Sequence, residues 1–356
     1  MDRLEILYAK MMFRLNTEKR LATMRKLASL LRNDFTLMDA LGRIEMIESH
    51  GGKKPGEPFA IAMRTWQQNL ERGMSFSDAT RGWLPTQETL LVTSGNISNL
   101  VVALENVGRV VEATQRIRRA MRGAVAYPLF LLALTFGIII MVGLYLVPPL
   151  ADVAGNNMVW RGMAGALIKL SDFTIKYWYM FMVAFVAIVA LVWISLPNWS
   201  GRMRAAFDHI PPWSVYKIQQ SVGWMMALSA MVAAGITVVD AMRMLADNSN
   251  RYLRGILERT LHYIANGDNL GVALANTGLD FPNTEIIGDL TIYADMTGFD
   301  ENLGAIANDY LAESTRRIES ISNTLNSVGI LFVSAIIALV VLGTFQMQDQ
   351  ITAALS

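Results

Sequence analysis

Arg116-Ile-Arg-Arg-Ala-Met-Arg-Gly-Ala-Val-Ala-Tyr-Pro128 runs directly into the uncharged block Leu129–Val147 and then reaches Pro148-Pro149. No Asp, Glu, Lys or Arg occurs between Arg122 and Asp152. About 20 consecutive apolar residues are what a helix needs to cross ~30 Å of hydrocarbon, so this stretch reads as a basic helix end entering a bilayer. Two further charge-free windows contain comparable blocks: Tyr177–Leu196, between Lys176 and Arg202, and Val328–Phe345, between Glu319 and Asp349. The hydrophobic fraction of 53% is concentrated in these blocks, and three spanning helices are the expectation.

Around this stretch the chain reads as all-α. Leu21, Met24, Leu27, Ala28 and Leu31 recur at helical spacing, Asn33-Asp34 interrupts them, and Thr36 restarts a helix as its cap with Asp39 facing the positive helix end. Gly51–Gly56 is a turn-rich loop, and helices are expected over Phe59–Leu70, after a Ser75 cap, and after the Trp83-Leu-Pro85 turn. Leu100–Val147 is expected as one long helix. Residues 1–15 read as a short amphipathic helix with two open readings: packed on its own bundle, or docked on a partner or lipid surface.

The second half repeats the first. Thr36-Leu-Met-Asp39-Ala-Leu returns as Thr237-Val-Val-Asp240-Ala-Met, and Gly73-Met-Ser-Phe-Ser-Asp-Ala as Gly267-Asp-Asn-Leu-Gly-Val-Ala. Pro85 pairs with Pro282, Asn96–Asn99 with Asp295–Gly298, and Arg118 with Arg317. Matching order and spacing at several landmarks point to a duplication. Each copy is a bundle followed by one span, and Tyr177–Leu196, which has no counterpart, returns the chain across the bilayer.

The expected organisation is a first cytoplasmic helical bundle over residues 1–127, a membrane helix over 128–150, a periplasmic loop over 151–176, a membrane helix over 177–197, a second cytoplasmic bundle over 198–327, a third membrane helix over 328–346 and a periplasmic tail over 347–356. Orientation rests on the positive-inside rule: Arg109, Arg116, Arg118, Arg119 and Arg122 precede the first span, and Arg202, Arg204, Lys217, Arg316 and Arg317 flank the second bundle. An inner-membrane, multi-pass protein with a cytoplasmic N-terminus follows. The first bundle is basic, with 19 Lys+Arg against 13 Asp+Glu over 1–127; the second is acidic, with 9 against 14 over 197–327.

Enzymatic signatures are missing from the sequence. There is no cysteine, which removes disulfides, thiolate metal sites and thiol nucleophiles. Gly51-Gly52-Lys53-Lys54 lacks the spacing and hydroxyl of a phosphate loop, and His50, His209 and His262 are isolated. Asp289, Asp295, Asp300 and Glu301 form an acidic group that is read as helix-start residues ahead of a cation site. The spans hold Thr135, Tyr145, Ser195, Ser334 and Thr344 among their polar residues, without the charged groups of ion pathways. No cofactor and no metal is expected, and the net charge of +1 gives no case for nucleic acid.

Two repeated bundles, an unpaired middle span and the Arg-rich approach to Tyr127-Pro128 resemble the inner-membrane platform family of type IV pilus and type II secretion machines, the GspF/PilC family. The family's Gly-Glu-x-x-Gly turn stands here as Gly95-Asn96-Ile-Ser-Asn99 and Ala294-Asp295-Met-Thr-Gly298, with the acid lost in one copy and shortened in the other. The short N-terminal segment is similar to the type IVb pilus group, which includes the thin pili of conjugative plasmids. The resemblance implies a non-enzymatic platform that contacts a hexameric cytoplasmic assembly ATPase, pilin subunits, other inner-membrane pilus components, the phospholipid bilayer and further copies of itself. A type II secretion platform, or an oligomeric channel or receptor, is the alternative. Thr36, Asp39, Thr237, Asp240, Arg118, Arg119, Arg122, Tyr127, Pro128, Asp295, Gly298, Arg316 and Arg317 are the candidate structural and partner-coupling residues.

Overall fold

The computed structural model describes residues 3–94, 100–154, 158–294, 296 and 298–355. Every regular element among them is helical. In the first half these are α1 (Arg3–Leu15), α2 (Thr17–Arg32), α3 (Leu37–Glu48), α4 (Pro58–Glu71), α5 (Phe76–Thr80), α6 (Thr86–Ser94), α7 (Leu100–Met141) and α8 (Val147–Ala154). They continue as α9 (Gly162–Asn198), α10 (Arg202–Phe207), α11 (Trp213–Ala233), α12 (Val238–Asp247), α13 (Arg251–Ala265), α14 (Leu270–Asn276), α15 (Thr284–Tyr293) and α16 (Phe299–Leu355).

Local chemistry sets most of the short elements. Thr36 starts α3 and Thr237 starts α12, each hydroxyl accepting the amide proton three residues on at 3.2 Å. Each hydroxyl also donates to the carboxylate of Asp39 or Asp240 at 2.7 Å. One orphan donor of the first turn is thereby satisfied and an acid sits at the positive helix end. Ser75 caps α5 as Asn269 caps α14, so the internal repeat is written in caps as well as in apolar spacing.

The chain folds into two compact units. One contains residues 1–118 and 197–314; the other contains 119–196 and 315–356. The two bundles thus share one unit. In its first half Phe13 fills a fully buried centre, 4.5 Å from the Phe59 ring, 5.5 Å from Trp66 and 6.0 Å from Trp83. In its second half Trp224 takes that place, 5.5 Å from Phe281. The halves are joined by Asn106 of α7, which is buried and donates from Nδ2 to the carbonyl of Ala230 on α11 at 3.1 Å.

The second unit holds the apolar stretches. Two helical runs, Leu100–Val153 and Phe299–Ala354, are long and apolar enough to cross a membrane. The pair Gly162–Met180 and Met182–Asn198, bent by 53°, makes a third crossing if it is a single span. Thr135, Ser195 and Thr344 each satisfy their hydroxyl on a carbonyl of their own helix, at 2.7–2.8 Å, which suits an apolar surrounding.

The structure differs from the sequence reading in two places. Helix continues through Pro148-Pro149 to Ala154. A π turn over Val142–Leu146, closed by the Val147 amide on the Val142 carbonyl, carries the chain into the prolines. Bonding is already displaced by one residue there, so a missing proline N–H breaks less of the ladder. The second difference lies in residues 151–176, expected as a loop: α9 begins at Gly162 and runs through them.

α16 explains that early start. Gln346 Oε1 accepts from the amides of Met163 at 2.8 Å and Ala164 at 3.3 Å, two of the orphan donors of a helix start. Gln350 closes a ring with Arg161, accepting its amide at 3.2 Å and donating to its carbonyl at 3.1 Å. Beneath this cap Val142, Val147, Ala164, Leu167 and Met347 form a small core. Gly343 admits Leu167, whose Cδ2 would lie 2.9 Å from an added Cβ.

Candidate functional site

The candidate residues fall into three places. Thr36, Asp39, Thr237 and Asp240 are the caps already described, on the exposed starts of α3 and α12. Arg118, Arg119, Arg122 and Tyr127 lie exposed along α7, and Pro128 lies within it without ending the helix. Arg316 and Arg317 lie exposed along α16. Gly298 has φ 80°, a left-handed conformation that suits glycine. Asp295, and the Gly95–Asn99 counterpart of its turn, lie outside the described residues.

Among the described residues, none of Arg116, Arg118, Arg119, Arg122, Arg316 and Arg317 has an acidic partner within ion-pair distance. Several arginines earlier in the first bundle behave otherwise. Arg25 pairs with Glu112, Arg32 with Glu105, and Arg64 with Glu45 at 2.5 Å. Unpaired guanidinium groups at the approach to an apolar helix suit phosphate headgroups or an acidic protein surface.

Two arginines are buried: Arg20, which the sequence reading did not single out, and Arg204, which it counted among the basic flank of the second bundle. Arg20 donates from Nε and Nη2 to both oxygens of Glu88, at 2.8 and 2.7 Å. Its Nη1 donates to the carbonyls of Phe13 and Arg14, at 2.9 and 2.6 Å. In the second bundle the buried Arg204, which lies in α10, pairs from Nη1 with Asp208, while its buried Nε and Nη2 have no protein partner. Tyr252 donates to the other Asp208 oxygen at 3.0 Å, and its ring lies 4.8 Å from the Arg204 guanidinium. Arg20 gives no signal beyond an arginine within an apolar rhythm, whereas Arg204 and Asp208 stand four residues apart, the spacing of a helical ion pair.

Electrostatics there follow burial. Burial raises the Asp208 carboxyl above the usual carboxylate range despite the opposing pull of Arg204. It also pushes the Tyr216 hydroxyl up to about 12 and raises Tyr252, with Asp208 adding to the latter shift. A cavity of about 660 Å³ adjoins this network, lined by Asp208, Tyr252, Arg259, His262 and Thr277 among others. A smaller one of about 340 Å³ lies between α7, α11 and α16, with Arg109, Ser229, Asp300, Glu301 and Asn308 on its walls. Among the described residues no three His, Asp or Glu side chains come together as a metal-binding group.

The molecule so defined is an all-helical membrane protein with a duplicated bundle, each copy continuing into a long apolar helix. The family model of the type II secretion system protein F matches it twice, over residues 23–148 and 224–346. The chain belongs to this family, whose GspF/PilC members are structural platform proteins. It is 22% identical to the protein transport protein HofC homolog of Escherichia coli K12, over 73% of this chain and 66% of that protein. It is also 22% identical to the type IV pilus assembly protein PilC of Thermus thermophilus, over 90% of this chain and 79% of that protein. For the Pseudomonas aeruginosa PilC the identity is 22%, over 64% and 62%. The chain thus spans about two thirds of the HofC homolog and somewhat less of the Pseudomonas protein.

Proposed function

We propose that this chain is the inner-membrane platform of a type IV pilus assembly machine, multi-pass, with both bundles in the cytoplasm. The observation that carries the reading is the double family match, each copy ending in a helix long and apolar enough to cross a membrane. In this reading a hexameric cytoplasmic ATPase grips the bundle unit and pilin subunits meet the apolar helices. Further copies of the chain and other inner-membrane components complete the base of the fibre. The chain contributes transmission and no catalysis: α7 and α16 are continuous helices that begin in the bundles and run on into the apolar stretches, and a continuous helix has little slack except where an interruption such as Pro128 bends it.

The unpaired arginines support the orientation. Arg116 to Arg122 on α7 and Arg316-Arg317 on α16 stand before the charge-free stretches, where the positive-inside rule places the cytoplasm. A type II secretion platform is the second reading, favoured by the description of the family itself.

Co-purification tests the proposal. The full chain, solubilised in mild detergent, is expected to bring down a secretion-type ATPase and a pilin from cells that make the fibre, and its deletion is expected to abolish piliation. Recovery of neither partner, with piliation intact after deletion, refutes it. Capture of the ATPase with secreted substrates in place of pilin favours the secretion reading.

A further inference from the structure

α1 is apolar on two opposite faces. Ala9 and Phe13 are fully buried, and Phe13 forms the centre of the first aromatic core. On the other side Leu4, Leu7, Tyr8, Met11 and Leu15 follow one another at three- and four-residue spacing and remain exposed at 73, 66, 54, 51 and 71%. Core packing accounts for the first face. It leaves the second, an unbroken apolar stripe on a helix, facing outward.

The rim of the stripe limits what covers it. Lys10 and Arg14 occupy one shoulder; Lys10 Nζ lies 5.6 Å from the Trp83 ring, and Arg14 donates to the Leu84 carbonyl at 3.4 Å while its side chain stays exposed. Among the described residues neither has an acidic partner. These contacts hold two cations beside the apolar stripe, on a helix anchored from behind. A helix of 13 residues is about 20 Å long. One stripe of it offers well under the ~800 Å² per partner of a stable protein interface. A bilayer sets no such threshold for a chain already fixed in it, because tethering raises the effective concentration of every additional contact.

We propose that the outer face of α1 lies on an anionic lipid surface. Leu4, Leu7, Tyr8, Met11 and Leu15 would enter the boundary between headgroups and acyl chains, and Lys10 and Arg14 would meet lipid phosphates. The inference needs only that the chain resides in a membrane, and it stands whether or not the chain serves a pilus machine.

The absence of cysteine permits a direct test on the full chain. Met11→Cys is labelled with an environment-sensitive dye and reconstituted at one copy per nanodisc. One set of discs contains phosphatidylcholine alone and the other phosphatidylcholine mixed with phosphatidylglycerol, each with or without brominated acyl chains. Met46→Cys, another exposed apolar position at 58%, serves as the comparison site. The expected result is a blue-shifted Met11 label that brominated lipid quenches, more strongly with phosphatidylglycerol, beside an unquenched Met46 label. Lys10→Gln with Arg14→Gln should lower the docked-to-free ratio in anionic discs by roughly thirtyfold, since each cation contributes about 1 kcal/mol at an anionic surface. Raised salt should weaken quenching of the unsubstituted shoulder in the same direction, a readout independent of whether the double variant folds. An unquenched Met11 label, equal quenching at both positions, or a blue shift that appears only with two copies per disc overturns the proposal; the last outcome would assign the stripe to a second copy.

Discussion

The two bundles share a plan and differ in how each treats its buried arginine. In the first, Arg20 is fully engaged by Glu88 and two carbonyls, and α1, 13 residues long, brings Phe13 onto the face of α4. In the second, Arg204 keeps one ionic partner and two unbonded nitrogens. Its helix, α10, is only 6 residues long, and a cavity of about 660 Å³ opens beside α13. Cap residues, whose chemistry acts within one turn, were kept or replaced by equivalents in both copies. The buried arginines are neutralised by different means: Arg20 by an acid 68 positions away, Arg204 by one a single helical turn on.

The largest effect that sharpens this contrast is expected at Glu88. Glu88→Ala leaves Arg20 buried without its counter-charge, and removal of one partner of a buried pair costs about 3–5 kcal/mol. Asp208→Ala should cost less, since it removes one bond to its arginine where Glu88→Ala removes two, and Arg204 retains the Tyr252 ring. Denaturant unfolding of both variants in detergent reads the difference; equal losses would remove the distinction between the bundles.

A middle-sized effect comes from helix spacing. Gly271 of α14 meets α15 so closely that an added Cβ would lie 2.1 Å from the backbone nitrogen of Thr291. The repeat places Ser77 at the equivalent position of the first bundle. Gly271→Ser, which imports that residue, should destabilise by about 1–3 kcal/mol or more through overpacking, measured as a lowered Tm. A neutral result would mean that α15 moves freely on α14.

The smallest effects should also be the most alike. Thr36→Ala and Thr237→Ala each remove one cap hydrogen bond with the same 3.2 Å geometry, and each should cost about 1 kcal/mol. Thermal unfolding of the two single variants and the double tests this. A clear inequality between them would break the equivalence of the repeats at the level where it is most exact in structure.

Legibility followed the range of the interaction. Ser75 and Asp78, or Thr237 and Asp240, could be read as caps because the atoms involved are three residues apart. The charge-free blocks could be read because transfer into hydrocarbon depends on composition over about 20 residues. The helical start of α9 could not, because its amides are satisfied by Gln346 and Gln350, more than 180 positions away in the chain. Nothing beside Arg20 or Glu88 in the chain marks them as a pair, for the same reason: they are 68 positions apart.

By itself, then, the sequence determined the helical class, the duplication, the apolar stretches and the basic approach to them, since each is a property of neighbouring residues. Only the tertiary structure decided that both bundles form one unit and that α9 is capped from α16. It also decided which arginines are buried in pairs and which stand free, and that α1 turns one apolar face inward and leaves the other open. These outcomes depend on which distant groups meet, and burial makes an unmet charge or amide too costly for the choice to remain open.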